Sequence, residues 1–233
     1  MDLLSPEEWI ALHLSLEIAG LATLISLPFA IAAAWVLARC HFPGKALFDS
    51  FVHLPLVLPP VVTGYILLVL LGRNGVIGSF LLQHFNIVFA FRWTGAAIAC
   101  AVMGFPLMVR AIRLAIEAVD PRLEAAAGTL GANPFLTFLA VTLPLTAPGI
   151  IAGMVLAFAK ALGEFGATIT FVSNIPGETQ TLSTAIYSAL QDPNGDSTVV
   201  RLTLVSILLA MAALVASEAL ARRARIKIGQ AKV

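Results

Sequence analysis

The chain alternates long apolar runs with short polar segments. Runs without any charged residue cover residues 18–38, 50–72, 93–109, 125–159 and 202–217. A helix needs about 20 mostly apolar residues to cross a bilayer, and terminal arginines can extend their stems along it. Because Gly128, Gly131, Asn133 and Pro134 interrupt the start of the fourth run, only its later part reads as a span. The pattern predicts five spanning helices, at about residues 14–38, 50–72, 93–114, 138–160 and 201–221.

The placement of lysine and arginine predicts the orientation of these spans. With the N-terminus outside and the C-terminus inside, ten of the 14 basic residues fall on inside segments: Arg39, Lys45, Arg110, Arg113, Arg122, Arg222, Arg223, Arg225, Lys227 and Lys232. Arg73, Arg92 and Arg201 fall outside, and Lys160 falls at membrane depth. Cytoplasmic loops carry the excess of positive charge in membrane proteins. We therefore expect the N-terminus outside and the C-terminus inside.

The stretch between the last two spans, residues 161–200, is apolar in part but cannot form one straight helix. Its glycines and prolines predict irregular backbone over residues 165–177, an amphipathic helix over 182–190 and a polar turn over 192–196. Non-helical backbone at membrane depth is tolerated where it is buried in protein or faces water. This stretch is therefore a candidate pathway element, with an ordinary outer loop as the alternative. A short interfacial helix is expected within residues 73–92.

Prolines and glycines inside the spans indicate a packed helix bundle. The prolines lie inside three spans and crowd the start of the second: Pro28, Pro106, Pro148, Pro55, Pro59 and Pro60. Each removes a backbone donor and bends or opens its helix. Gly149 and Gly153 form a G-x-x-x-G pattern, which permits close helix contact.

Composition places the chain among polytopic membrane proteins. Of its 233 residues, 59% are hydrophobic and 12% are charged, against about 25% charged in soluble domains. Soluble globular and disordered classes are thereby excluded. The net charge of +1 gives no indication of a nucleic-acid partner, and Cys40 and Cys100 show no metal-binding spacing. We expect no metal and no cofactor.

The inside segment between the third and fourth spans, residues 120–136, predicts a helix, a tight turn and a second short helix. Asp120 can cap the first helix with Pro121 at its first position. Gly131 fits a helix stop, and Asn133 and Pro134 start the second helix. Such an elbow under the membrane can dock in a cleft of another protein. A plain cytoplasmic loop is the alternative.

This elbow carries a recognisable motif. Ala125, Ala126 and Ala127, then Gly131, then Val141-x-Leu143-Pro144 resemble the "EAA" motif of ABC importer permeases, which reads Glu-Ala-Ala, three residues, Gly, nine residues, Ile-x-Leu-Pro. Two positions depart from the pattern: the motif's Glu falls on Ala125, with Glu124 one residue earlier, and its Ile falls on Val141.

Further segments resemble the permeases of molybdate ABC importers, over about residues 8–225. These segments are residues 39–45, 53–62, 105–113 and 163–179, and the last is the most specific. The resemblance implies a single transmembrane domain, 1–233, of the type I importer permease (MetI-like) fold in the cell inner membrane. It also implies a homodimer, two cytoplasmic ATPase subunits and an external oxyanion-binding protein. The chain has no G-x-x-x-x-G-K-[ST] phosphate loop, so energy would come from the partner ATPase.

The resemblance and the residue types together suggest two sets of functional residues. The ATPase-coupling set lies on the elbow: Glu124, Ala125, Ala126, Ala127, Gly131, Ala132 and Pro134. The translocation-path or gate set lies around the predicted helix break: Lys160, Glu164, Thr168, Thr170, Ser173 and Asn174. Neutral hydroxyl and amide groups offer an oxyanion weak contacts that do not trap it. Lys160 and Glu164, four residues apart, read equally as a structural pair or as a lining of the path.

The function expected from the sequence is import of molybdate, with tungstate as a further possible cargo, by a permease subunit that is not itself an enzyme. A sulfate or thiosulfate permease of the same superfamily is the nearest alternative. A proton-coupled secondary transporter would be expected to carry unpaired intramembrane carboxylates, and only Glu164 qualifies. No serine–histidine or paired-aspartate constellation within the spans supports an intramembrane hydrolase.

Overall fold

Every regular element in residues 4–227, the part of the chain that a computed structural model describes, is a helix. In chain order these are α1 (Pro6–Arg39), α2 (Lys45–Val57), α3 (Pro60–Leu71), α4 (Val76–Phe85), α5 (Trp93–Glu117), α6 (Pro121–Thr129), α7 (Pro134–Thr137), α8 (Leu143–Leu162), α9 (Gly166–Val172), α10 (Leu182–Leu190) and α11 (Asp196–Lys227). A π-turn (Phe138–Thr142) joins α7 to α8. Residues 1–3 and 228–233 of the predicted domain, including Lys232, lie outside the described residues. The predicted all-α class is confirmed.

Four helical stretches of the described chain are each long and apolar enough to cross a membrane. They are α1, α5, the continuous stretch Pro134–Leu162 and residues Asp196–Ala216 of α11. The helices run beyond the predicted spans, and α1 begins at Pro6 instead of near residue 14. Its early start follows from a capping box, in which Ser5 and Glu8 each satisfy the other's backbone donor.

The predicted second span, residues 50–72, consists of two helices. α2 and α3 are long and apolar enough to cross a membrane only when taken together, and they meet at an angle of 111°. Pro59 and Pro60 cannot donate backbone hydrogen bonds, and a residue before proline is biased toward extended backbone. Leu58 and Pro59 are accordingly extended, with ψ angles of 142° and 133°. The two prolines thus explain the break.

The core of the bundle forms around α5. In the most apolar window of α5, 61% of residues are buried, against 6% in α11, which lies at the edge. One buried cluster joins α1, α3, α5 and α9 through residues such as Ile18, Met103 and Phe171. A second joins α1, α2, α5 and α8 near the end where α6 begins, and includes Leu37 and Ile116.

Close contact between α5 and α8 depends on the predicted glycine pattern. A methyl group on Gly149 would collide with the side chain of Ala115, and one on Gly153 would lie 3.1 Å from the carbonyl oxygen of Met108. Glycine lets two helix backbones approach where any side chain would separate them. The G-x-x-x-G prediction is therefore confirmed at this crossing.

The segments expected on the outer side match the predicted secondary structure except at one place. The expected short helix within residues 73–92 is α4, and the expected amphipathic helix is α10. The irregular backbone expected over residues 165–177 is wrong for residues 166–172, which form the helix α9. Because Ala167 and Phe171 are fully buried, packing against the core stabilises this short helix despite the neighbouring glycines.

Candidate functional site

The elbow at residues 120–136 has the predicted helix–turn–helix form, and its caps are local. The Asp120 side chain accepts a hydrogen bond from the Arg122 amide at 2.9 Å. The Asn133 side chain accepts one from the Leu136 amide at 2.8 Å. Gly131 adopts a left-handed conformation with φ of +89°, which closes the end of α6. We call residues 120–136 the coupling segment.

The exposed residues of the coupling segment include several small ones and several large apolar ones, among polar residues such as Arg122 and Thr129. Of the predicted coupling residues, Ala125, Ala126, Gly131 and Pro134 are exposed, and Ala127 and Ala132 are partly buried. The largest exposed side chains were missed by sequence reasoning: Leu130 is 89% exposed and Phe135 is 71% exposed. Exposed apolar patches occur where a protein contacts another protein or the membrane.

Glu124 differs from the other predicted coupling residues because it faces its own chain. Its carboxylate pairs with the Arg39 guanidinium, with 3.2 Å between Nε and Oε2. The Thr142 hydroxyl donates to Oε1 at 2.7 Å. Arg39 also donates to the backbone carbonyl of Val119 at 3.1 Å. The departure of this chain from the motif thus places a glutamate against the bundle.

A cavity of about 280 Å³ lies behind the coupling segment. Trp35, Arg39 and Glu124 line it together with Phe138 and Thr142. The rings of Trp35 and Phe138 meet edge to face, with centroids 6.1 Å apart. The segment therefore meets the bundle at an ionic group, and an aromatic pair packs just after the segment ends.

The π-turn lies between the coupling segment and α8. The Leu143 amide donates to the carbonyl of Phe138, five residues earlier, in place of the usual four. Pro144 follows and has no amide hydrogen for the carbonyl of Ala140, which favours such a local widening. Single π-helical turns inside helices are frequently found at functional sites. Leu143 and Pro144 of the motif are the first two residues of α8.

The predicted path residues begin at the break between α8 and α9. The Lys160 ammonium donates to Oε2 of Glu164, whose side chain is 1% exposed. The other oxygen, Oε1, accepts from the Ala167 amide at 3.0 Å. Glu164 therefore caps the first turn of α9 while it pairs with the last turn of α8. This geometry favours the structural interpretation of the pair.

The threonine hydroxyls of α9 are engaged within their own helix. Thr168 is fully buried and donates to the carbonyl of Phe165 at 2.9 Å. Thr170 donates to the carbonyl of Gly166 at 2.8 Å and is partly buried. As hydrogen-bond acceptors, both oxygens retain capacity, but their protons are committed to the backbone.

Ser173 and Asn174 lie where α9 ends. Ser173 has φ of +67°, an uncommon conformation for a residue with a side chain. The Asn174 amide donates to the Ser188 hydroxyl at 2.6 Å. Its carbonyl oxygen, Asn174 Oδ1, is buried without a donor among the described residues. In the part of the chain that the structure describes, no three His, Cys, Asp or Glu side chains are grouped to hold a metal.

Residues 26–226 match the family described as "Binding-protein-dependent transport system inner membrane component". The chain belongs to this family. Its members are transport components of the inner membrane, which places the chain with transport proteins and not with enzymes.

Curated relatives within the family are similar over almost their whole length. The chain is 61% identical to the "Molybdenum transport system permease protein ModB" of Escherichia coli (strain K12), over 98% of this chain and 100% of that protein. The ModB protein of Haemophilus influenzae is 54% identical, over 96% of this chain and 97% of that protein. The "Sulfate transport system permease protein CysT" of Salmonella typhimurium is more distant, at 38% identity over 81% and 68%.

A solved structure supports the fold of this inner membrane component. The bacterial alginate ABC transporter, crystallised in complex with an alginate pentasaccharide-bound periplasmic protein, superposes with a TM-score of 0.72. The alignment covers 98% of this chain and 82% of that chain at 21% identity. The predicted importer-permease fold is confirmed.

Proposed function

We propose that this permease imports molybdate, and tungstate with it, across the inner membrane as part of an ATP-driven, binding-protein-dependent importer. The single observation that carries the proposal is the 61% identity to a molybdenum transport permease over all of that protein's length. The sulfate permease CysT is 38% identical, so the molybdenum branch is favoured over the sulfate branch.

The surface of the coupling segment supports the view that a separate subunit docks there and supplies the energy. Its exposed Leu130 and Phe135 lie on the same segment as the small, exposed residues Ala125, Ala126 and Gly131. This combination suits docking into an apolar cleft, where small residues allow close backbone approach. We assign the cleft to a cytoplasmic ATPase subunit, one for each copy of a permease homodimer. Movement of the ATPase subunits would then displace the coupling segments and switch the bundle between two states.

Fewer residues are proposed to contact the oxyanion than the six expected from the sequence. Lys160 and Glu164 hold the break between α8 and α9, and Thr168 is buried with its proton engaged. Thr170 is partly exposed, but its proton is engaged in the same way. Ser173 and Asn174 are partly exposed and follow it in the chain. We infer that these two provide the neutral polar contacts, while the other four position them.

The test is uptake of radiolabelled molybdate by proteoliposomes that contain the permease with its ATPase, with a molybdate-binding protein outside and ATP inside. We expect uptake that requires ATP, the binding protein and the ATPase together, and that unlabelled tungstate reduces. Liposomes with the permease alone serve as the control. Accumulation by the permease alone, or uptake without ATP, would contradict the proposal.

Competition by sulfate distinguishes a molybdate permease from a sulfate permease. A hundredfold excess of sulfate should leave molybdate uptake within twofold of its value without competitor. If sulfate or thiosulfate abolished the uptake when each was offered with its own binding protein, the permease would instead serve the sulfate branch.

A further inference from the structure

We propose that Glu124, Arg39 and Thr142 form a positioning clamp that ties the coupling segment to the bundle and transmits its displacement to α1 and α8. The inference rests on the proposed ATP-driven function and deepens it. Glu124 here does not contact the ATPase; its partners belong to its own chain.

The Glu124 side chain is directed at partners in its own chain. Oε1 accepts hydrogen bonds from the Arg39 guanidinium at 3.2 Å and from the Thr142 hydroxyl at 2.7 Å, and Oε2 lies 3.2 Å from Arg39 Nε. The Glu124 side chain is only 21% exposed, whereas the next two residues, Ala125 and Ala126, are exposed. A partner subunit that docks on the exposed surface would therefore meet the alanines and not the carboxylate.

The clamp joins four elements at one point. Arg39 is the last residue of α1, Val119 lies between α5 and α6, Glu124 lies in α6, and Thr142 ends the π-turn. Arg39 binds both Val119 and Glu124, and Glu124 binds Thr142. The carboxylate thus bonds the end of α1 and the π-turn that leads into α8, and Arg39 bonds the turn that follows α5.

The backbone at the clamp explains why a side-chain connection is needed there. The helical stretch from Pro134 to Leu162 is interrupted by the π-turn, where backbone hydrogen bonds span five residues and Pro144 donates none. Side-chain bonds to an ionised group are stronger than neutral ones. Thr142 is 1% exposed, so its bond to Glu124 fixes the π-turn where the backbone ladder is weakest.

The experiment uses the complete reconstituted complex and compares Glu124→Gln and Thr142→Val with the wild type. Three quantities are measured: ATPase subunit retained on purification, ATP hydrolysis stimulated by the loaded binding protein, and molybdate uptake. We expect wild-type retention of the ATPase and persistent hydrolysis, with uptake per ATP hydrolysed lowered at least fivefold. A residue that only contacted the partner would lower retention instead.

Two matched variants serve as controls. Glu117→Gln removes a carboxylate at the same end of the bundle, where it binds Arg113 within α5. Thr23→Val removes a buried hydroxyl that donates only within α1. Both should leave uptake per ATP within twofold of the wild type.

A charge swap keeps the test decisive where a single variant fails to fold. Glu124→Arg alone should lower uptake per ATP at least fivefold, and Arg39→Glu combined with Glu124→Arg should raise uptake per ATP at least twofold above that of the single variant. The clamp is refuted if the swap gives no recovery, or if Glu124→Gln and Thr142→Val transport with wild-type uptake per ATP. Failure of the wild-type complex to take up molybdate would refute the proposed function itself, which separates the two results.

Discussion

Gly131 ends the first helix of the coupling segment in a conformation that other residues adopt only at a cost. Its φ angle is +89°, and a methyl group at this position would meet nothing within 4 Å. The constraint therefore comes from the backbone and not from crowding inside the chain. For residues other than glycine, the left-handed region costs about 1–2 kcal/mol.

Gly131→Asp should abolish transport-linked ATP hydrolysis while the protein still inserts in the membrane. The aspartate strains the end of α6 and adds a charge to the surface proposed to dock on the ATPase. The measurement is hydrolysis stimulated by the loaded binding protein, beside the amount of permease in the membrane fraction. Normal molybdate uptake by this variant would contradict the assignment of the coupling segment.

Gly44→Asp provides the matched control for backbone strain. Gly44 also has a left-handed φ, of +90°, with open space around it, and it lies just before α2. The substitution introduces the same residue in the same conformation but away from the coupling segment. Hydrolysis and uptake should remain coupled as in the wild type.

At the residue scale, local features could be predicted from sequence and distant partners could not. Asp120, Asn133 and Gly131 act on backbone within three residues, so their residue types alone indicate their roles. Glu124 binds Arg39, which lies 85 residues earlier in the chain. Nothing in the sequence around either residue indicates that pairing, because it depends on how α1 and α6 pack.

At the scale of elements, the crossing of α3 and α9 is the tightest contact that involves the candidate path. A methyl group on Gly64 of α3 would lie 2.5 Å from the carbonyl oxygen of Ala167 in α9. On the other side, a methyl group on Gly166 would lie 2.8 Å from the Pro60 side chain. The two helices therefore approach backbone to backbone.

Gly64→Ala should destabilise the permease by about 1–3 kcal/mol, since an added methyl in a close-packed contact forces the backbones apart. The measurement is the thermal unfolding midpoint of the purified protein in detergent. Gly20→Ala is the control, because a methyl on Gly20 meets nothing within 4 Å and alanine favours helix. Equal midpoints for the two variants would contradict the tight crossing.

Prolines show the limit of prediction at this scale. Pro28, Pro106 and Pro148 lie inside continuous helices, whereas the consecutive Pro59 and Pro60 accompany a bend of 111°. A single proline removes one hydrogen bond that packing can offset. Two in succession remove neighbouring bonds and bias the preceding residue toward extended backbone. The positions of the prolines show where a helix can bend, but the size of each bend depends on the surrounding packing.

At the scale of the whole molecule, the orientation in the membrane remains a prediction from the basic residues. We expect the coupling segment, Arg39 and the C-terminus on the cytoplasmic side, and the start of α1 outside. A fluorescent protein fused after Val233 should fluoresce, since it folds in the cytoplasm. A cysteine replacing the exposed Glu7, with Cys40 and Cys100 changed to alanine, should react with an impermeant maleimide added outside intact spheroplasts.

The opposite labelling pattern would contradict this orientation. A cysteine at the exposed Arg122 is the paired control, and it should react only after the membrane is permeabilised. Reaction at residue 122 in sealed spheroplasts would place the coupling segment outside, where no ATPase could reach it.

The helical stretch from Pro134 to Leu162 has a mechanical consequence. Its 29 residues correspond to about 43 Å at 1.5 Å per residue, so one helical stretch, whose π-turn the proposed clamp holds, extends from the exposed Phe135 to the Lys160–Glu164 pair. A tilt of about 5° around its midpoint moves each end by about 2 Å, by the geometry of a rod of that length. Such a rotation would therefore shift the first turn of α9 by most of the length of a hydrogen bond, without unfolding any element.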